Sequence, residues 1–154
     1  MKHVECPEVY DGKGNSLFLG GGISGCRDWQ TELVALLKDT NLVLINPRRK
    51  EFNAEDKNLE EEQIKWEFEH LNKSKAILFW FPPETVCPIT LYELGKISKT
   101  DKPIFIGIDK NYSRKNDVMI QTKLIRPDVN IVWSLNELAE QIKLREDLKN
   151  EKLL

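Results

Sequence analysis

The run Ala76–Phe81 (AILFWF) most constrains the fold, because six nearly continuous apolar residues are stopped at once by Pro82 and Pro83. A strand that is apolar on both sides must be covered on both sides, which is typical of the centre of a parallel sheet packed between helices. The chain contains 40% apolar and 31% charged residues, so it has enough apolar material for such a core. The run therefore predicts an α/β fold.

Apolar runs and helical stretches alternate along the rest of the chain. They predict further strands at 16–20, 42–45, 103–108 and 130–133, and helices at 28–37, 58–74, 90–99 and 135–149. Five strands that alternate with helices predict a flavodoxin-like three-layer sandwich with a five-stranded, mostly parallel sheet.

The ends of the chain and one helix face carry further expectations. Residues 1–15 show no periodicity and predict an extended N-terminal arm, followed by a single domain at 16–154. In the helix at 58–74, the spacing of Ile64, Phe68 and Leu71 predicts an apolar stripe that faces the sheet. The segment Asn111–Gln121 has no clear pattern and is expected to be irregular.

Charge and cysteine usage exclude several classes of function. The formal net charge of −2 argues against a protein that binds the phosphate backbone of nucleic acids or a membrane surface. Three cysteines without a C-x-x-C pair and two histidines predict neither a disulfide framework nor a bound metal, and we expect no cofactor. No apolar stretch resembles a signal peptide or spans a bilayer, so the expected location is the cytoplasm.

A glycine-rich segment, Gly20–Gly25 (GGGISG), follows the first predicted strand. Glycines at this place let backbone N–H groups approach a phosphate or a sugar. A plain glycine-rich turn remains an alternative. The second strand ends in Asn-Pro-Arg-Arg rather than in the acidic residue that holds a ribose, but arginines at this place can meet a 2′-phosphate, so a small NADP binder is a further alternative. Trp29 lies directly behind the segment, where its ring stacks on a base or packs in the core.

Two glutamates are the candidate catalytic groups. Glu93 follows the central strand by about one helical turn, where a carboxylate attacks an electrophilic sugar carbon or completes a capping box with Thr90. The same Ser/Thr-x-x-Glu pattern recurs at Ser134 and Glu137, where no chemistry is evident. Glu67 lies at the edge of the predicted stripe and either binds a sugar hydroxyl, gives a proton to a departing base, or is simply solvated.

Five motifs in order resemble the nucleoside 2-deoxyribosyltransferase-like family: LFLGGG with Asp-Trp-Gln, INPRR, QIKWE, ILFWFPP and ITLYELG. The similarity extends from about Ser16 to Gln121. It implies the flavodoxin-like fold, a nucleophilic role for Glu93 and a deoxyribose or base contact for Glu67. Phe18 and Cys87 stand where well-studied members carry a tyrosine and an aspartate.

The resemblance implies an enzyme that transfers deoxyribose from a 2′-deoxyribonucleoside to a free base or to water. Related enzymes hydrolyse nucleoside 5′-monophosphates with a similar glycine- and serine-containing loop, and a noncatalytic nucleotide-binding module is a further alternative. The resemblance also implies a homo-oligomer, to which Tyr112, Arg114 and Asp117 are candidate contributors. The candidate substrate contacts are Gly21, Gly22, Ser24, Trp29, Asn46, Arg48, Trp66 and Pro82.

Overall fold

Strands and helices alternate along nearly the whole chain. A computed structural model describes residues 1–50 and 56–151, and the side chains of 1–50 and 56–145. The strands in this part are β1 Lys2–Glu5, β2 Asn15–Gly21, β3 Leu42–Asn46, β4 Ala76–Phe81, β5 Ile104–Ile108 and β6 Ile131–Val132. The helices are α1 Trp29–Leu36, α2 Lys57–Lys73, α3 Pro88–Ile97, α4 Lys115–Ile125 and α5 Leu135–Glu151.

All the strand pairs are parallel, and the strand order is β1-β3-β2-β4-β5-β6. The order β3-β2-β4-β5-β6 is that of a flavodoxin-like sheet. The expected fold class is therefore confirmed. The chain leaves β2 first toward β3 and later returns to β4 on the other side, so the topological switch point lies between the carboxyl ends of β2 and β4.

The sheet has one strand more than the five that were expected. The additional strand, β1, lies within the segment expected to be an arm, and it pairs with β3 from Lys2 opposite Val43 to Glu5 opposite Asn46. Only Val4 of this edge strand is buried. Its pairing is set by a neighbour forty residues away along the chain, which a local pattern does not report.

The helices cover the sheet on both faces. Alternate residues of β4 belong to two separate core clusters, with Ile77, Phe79 and Phe81 on the side of α2, α3 and α4, and Leu78 and Trp80 on the side of α1 and α5. The central strand is thus apolar on both faces, as its sequence predicted.

The predicted apolar stripe of α2 is wrong at Ile64 and Phe68 and right at Leu71. Ile64 and Phe68 are each 59% exposed, whereas Trp66, His70 and Leu71 are buried. The Trp66 ring stacks on the His70 imidazole, with ring centroids 3.9 Å apart. A pattern of aliphatic residues misses this face, because two of its three members are an indole and a histidine.

The expectation of an irregular segment at Asn111–Gln121 is also wrong, because residues 115–125 form α4. The helix buries only Val118 and Thr122, and no side chain caps its first turn. Such a helix gives little periodic signal in the sequence. Within the described residues, no helix is long and apolar enough to cross a membrane.

Candidate active site

A cavity of about 530 Å³ opens at the carboxyl ends of β2, β3 and β4, beside the switch point of the sheet. The end of β2, the loops that follow these strands, α2 and α3 form its wall. Ligands of open α/β sheets bind in this place. The lining residues are Phe18, Gly20–Ser24, Pro47–Lys50, Gln63, Glu67, Thr85, Cys87–Thr90 and Glu93.

Close packing requires glycine at the end of β2 and at the start of the loop that follows it. A Cβ atom on Gly21 would lie 2.5 Å from the Trp29 ring and 2.6 Å from the backbone oxygen of Trp80. A Cβ on Gly22 would lie 2.6 Å from the sulfur of Cys26 and 2.8 Å from that of Cys87. The backbone of this loop therefore stands directly at the cavity wall, with no side chain between it and a ligand.

Arg48 holds the far side of the same loop. Its guanidinium donates to the backbone oxygens of residues 23, 26 and 27 at 3.1–3.4 Å, and its Nε donates to Gln30 Oε1 at 2.9 Å. The side chain of Asn46 accepts the backbone N–H of Arg48 at 3.0 Å. Asn46 thus fixes the turn after β3, and Arg48 fixes the loop after β2.

Glu93 enters the cavity from the second turn of α3. The helix begins at Pro88, with Cys87 as its N-cap, so Thr90 already lies inside the first turn. Proline suits the first helical position because its missing N–H would have no partner there. The expected alternative of a capping box between Thr90 and Glu93 is therefore wrong.

Burial, followed by the negative charge of Glu67, raises the pKa of Glu93 to about 7, and Lys96 opposes this rise. Burial also raises the pKa of Glu67, against the lowering effects of Gln63 and Arg49. Gln63 Nε2 donates to Glu67 Oε1 at 2.7 Å. Two carboxyl groups thus face one cavity, and their charges repel each other.

The loop that leads into α3 is held by Tyr112. The Tyr112 hydroxyl donates to the backbone oxygen of Val86 at 2.7 Å, and its ring packs against Phe81 with centroids 5.1 Å apart. The next residue, Cys87, has a φ of 51°, a backbone conformation that residues other than glycine rarely adopt. Tyr112 therefore stabilises the turn from which the helix of Glu93 starts.

A comparison with protein families identifies the chain. A family model described as nucleoside 2-deoxyribosyltransferase like matches residues 14–112, which include every residue that lines the cavity. The chain belongs to the nucleoside 2-deoxyribosyltransferase-like family. A search of curated proteins found no match to the sequence.

In this nucleoside 2-deoxyribosyltransferase-like protein, six of the ten predicted site residues meet at the cavity: Gly21, Gly22, Ser24, Arg48, Glu67 and Glu93. The other four lie outside its lining. Trp29 is fully buried and donates to the backbone oxygen of Gly22 at 2.8 Å. Trp66 donates to the backbone oxygen of Glu8 at 2.8 Å, and Asn46 and Pro82 are buried beside the loops.

The three residues predicted to contribute to a homo-oligomer, Tyr112, Arg114 and Asp117, differ in exposure. Tyr112 is only 1% exposed and is occupied within its own chain, as described above. Arg114 and Asp117 lie at the surface, where they form an ion pair of 3.0 Å.

Sequence reasoning did not identify Gln63 as part of the site. This side chain contacts both Arg49 and Glu67 and lines the cavity. The signal was present in its spacing, because residues four apart on a helix are neighbours, and Gln63 lies four residues before Glu67.

Proposed function

We propose that this protein cleaves the N-glycosidic bond of 2′-deoxyribonucleosides and transfers the deoxyribose to another base or to water. The observation that carries the proposal is the meeting of Glu93 and Glu67 in one cavity at the switch point of the sheet. Membership of the nucleoside 2-deoxyribosyltransferase-like family supports the same class of reaction.

Glu93 acts as the nucleophile. Its carboxylate forms a bond to C1′ of the sugar while the bond from C1′ to the base nitrogen breaks, and the base leaves with the electron pair and takes up a proton. A nitrogen of a second base, or a water oxygen, then attacks C1′ and releases the Glu93 carboxylate. A pKa of about 7 leaves a large fraction of Glu93 ionised at neutral pH, so the nucleophile is available.

Hydrolysis of deoxynucleoside 5′-monophosphates is the second candidate. The cavity lining includes Gly22, Ser24 and three basic residues, Arg48–Lys50, of which Lys50 is exposed. Backbone N–H groups and cationic side chains are the groups that bind phosphate in proteins. A neutral 5′-hydroxyl needs no cation beside it, so the basic residues of the wall favour a phosphorylated substrate over a free nucleoside.

A substrate panel tests both candidates. Purified protein is incubated with each 2′-deoxyribonucleoside, with and without a 5′-phosphate, and with and without a free acceptor base, and the products are separated by chromatography. A new nucleoside indicates transfer, and free base alone indicates hydrolysis. Binding without turnover for every substrate would instead support a noncatalytic nucleotide-binding module.

We also propose that the active protein is a homo-oligomer in which a second copy covers the rim of the cavity. Four large apolar side chains of α2 and α3 are exposed beside the two glutamates: Ile64, Phe68, Ile89 and Tyr92. Lys96 lies over both the Phe68 and the Tyr92 rings, at 4.9 and 5.9 Å from their centroids, so the two helices form one continuous surface. Apolar surface of this kind marks interaction sites.

Light scattering combined with activity measurements tests this arrangement. We expect a multimer that loses activity on dilution, and we expect Phe68→Asp to shift the protein toward the monomer. A monomer that retains full activity at high dilution would contradict the proposal.

A further inference from the structure

The side chain of Gln63 connects two charged groups of the site. Its Oε1 accepts a hydrogen bond from Arg49 Nε at 2.7 Å, and its Nε2 donates to Glu67 Oε1 at 2.7 Å. Gln63 and Glu67 are separated by one turn of α2, whereas Arg49 comes from the loop after β3. The amide therefore lies between a cation on one element and a carboxyl group on another.

Two further contacts fix which end of the amide faces Glu67. Gln63 Nε2 also donates to the backbone oxygen of Pro47 at 2.7 Å, and Oε1 accepts from the thiol of Cys6 at 3.2 Å. Arginine has donors only, and a backbone carbonyl accepts only. A flipped amide would place two donors together at Arg49 and two acceptors together at Pro47, so the amide nitrogen must face Glu67.

Arg49 is itself held in place. Its side chain is 7% exposed, and its guanidinium bonds to Glu62 Oε1 at 2.7 Å. A cation with so little access to water keeps its position, because breaking its pair would leave a buried charge without a partner. The order of contacts is thus Glu62, Arg49, Gln63 and Glu67, which ends at the cavity beside Glu93.

We propose that Gln63 is a positioning residue, which holds Glu67 as a hydrogen-bond acceptor so that Glu67 binds a sugar hydroxyl of the substrate rather than protonating the departing base. The part that concerns the sugar rests on the proposed function. The departing base then takes its proton from water. A carboxylate accepts a stronger hydrogen bond from an amide than a neutral carboxyl group does, so the contact favours the ionised form of Glu67.

The surroundings of the pair agree with this division of roles. Burial raises the pKa of Glu67, and the Gln63 amide and Arg49 oppose this rise in part. Among the described residues no such donor acts on Glu93, whose pKa rises to about 7 through burial and the charge of Glu67. Lys96 on α3 lowers the pKa of Glu93 in part. The thiols of Cys6 and Cys87, beside Gln63 and in the cavity wall, are both neutral, since burial raises the pKa of each.

Gln63→Met tests the proposal, because methionine keeps the length of the side chain and removes both polar ends of the amide. The matched control is Gln141→Met, which removes a helical glutamine whose Nε2 donates to the backbone oxygen of Asn130 at 2.9 Å, outside the cavity lining. Two measurements are made on each protein. One is the pH profile of kcat/KM, and the other is a ¹³C NMR titration of glutamate carboxyl groups in the free protein, assigned with Glu67→Gln and Glu93→Gln.

In Gln63→Met, Glu67 has lost its donor and takes up a proton at higher pH, so Glu93 has a neutral neighbour over more of the pH range. We therefore expect the titration midpoint of Glu67 to rise, that of Glu93 to fall, and the acid limb of kcat/KM to move to lower pH. We expect kcat/KM at neutral pH to fall on the order of tenfold, the effect of losing one hydrogen bond to a charged group. Gln141→Met should change none of these values.

Substrate analogues locate the hydroxyl. The loss caused by Gln63→Met should be present with the full sugar and nearly absent with whichever analogue, 3′-deoxy or 5′-deoxy, lacks the hydroxyl that Glu67 binds. Equal losses with every analogue would overturn the role of Glu67 toward the sugar. Unchanged NMR midpoints for both glutamates would overturn the positioning role of Gln63.

Failure of the proposed function has a different signature. A wild-type protein that turns over no deoxynucleoside or deoxynucleotide removes the sugar contact together with the enzyme, whereas the NMR titration still decides whether Gln63 positions Glu67. If Gln63→Met does not fold, Arg49→Lys replaces it. Lysine keeps a cation near Glu62 but lacks the fixed Nε donor, so the same shifts in the same directions are expected.

Discussion

Two segments of this protein share the pattern Ser/Thr-x-x-Glu near the start of a helix, and the structure uses them for different purposes. Ser134 directly precedes α5, its hydroxyl accepts the backbone N–H of Glu137 at 3.2 Å, and Glu137 Oε2 accepts the N–H of Trp133 at 2.7 Å. This arrangement is a helix cap. Thr90 and Glu93 form no cap, because α3 has begun two residues before Thr90.

The residues in front of each pattern explain the difference. Pro88 starts α3 early, and Cys87 at its N-cap makes no side-chain hydrogen bond to the helix. Residues 88–90 in the first turn of α3 line the cavity, and Glu93 lines it from the next turn. A carboxylate at a cap is exposed and stabilises the fold, whereas a carboxylate in the second turn beside a cavity is desolvated and available for chemistry.

The largest expected effect is on turnover, and it distinguishes Glu93 from Glu137. Glu93→Gln replaces the carboxylate with an amide that cannot bond to C1′, so we expect turnover to fall on the order of a thousandfold, or about 4 kcal/mol in barrier height. The same substitution at Glu137 should leave turnover unchanged. Initial rates with the best substrate of the panel measure both.

Comparable rates for Glu93→Gln and the wild type would contradict the covalent mechanism. Retained folding, checked by circular dichroism, is required in either case, and the matched variant Glu137→Gln controls for the loss of one negative charge.

The second expected effect is on stability, and it has opposite signs at the two positions. Folding raises the pKa of Glu93 from 4.5 to about 7, so ionisation of this group costs stability as pH rises through this range. The cost is absent below pH 4.5 and complete above pH 7, where it reaches up to about 3 kcal/mol. Denaturant unfolding at pH 4.5 and pH 8 should therefore show that Glu93→Gln gains stability over the wild type only at pH 8.

The comparison with position 137 sharpens this result. Glu137→Gln removes a negative charge from the first turn of α5, where it interacts favourably with the helix dipole, so it should lose stability slightly at pH 8 rather than gain it. A gain of similar size in both variants would show that the effect arises from net charge and not from burial of Glu93.

The sequence predicted the fold well where elements are defined by their own residues. The run Ala76–Phe81 is a strand with those same bounds, because both of its faces are apolar. It failed where a neighbour decides the structure. Lys2–Glu5 is a strand only because β3 lies beside it, and the face of α2 is set by Trp66 and His70, whose stacking no aliphatic stripe reveals.

The candidate site was predictable to a similar extent. Residues that follow strands, such as Gly22 and Arg48, reach the cavity because parallel strands end at the same edge. Trp29 could not be placed, since a tryptophan behind a glycine loop suits a stacking site and a core equally well. Its indole N–H bonds to the backbone of Gly22, so Trp29 supports the loop from inside the fold.

The smallest expected effect concerns the cap itself. Ser134→Ala removes the hydroxyl that accepts the N–H of Glu137, so we expect unfolding free energy to fall by about 1 kcal/mol, the usual cost of losing a helix N-cap. Turnover should stay at the wild-type level, because neither residue lines the cavity. A fall in turnover at unchanged stability would mean that α5 acts on the site, and it would remove the contrast between a structural and a catalytic use of the same pattern. Thermal or denaturant unfolding alongside initial rates distinguishes these results. The core residues of α5 lie on the face of the sheet opposite to those of α2 and α3, so we expect loss of the cap at Ser134 not to reach Glu93.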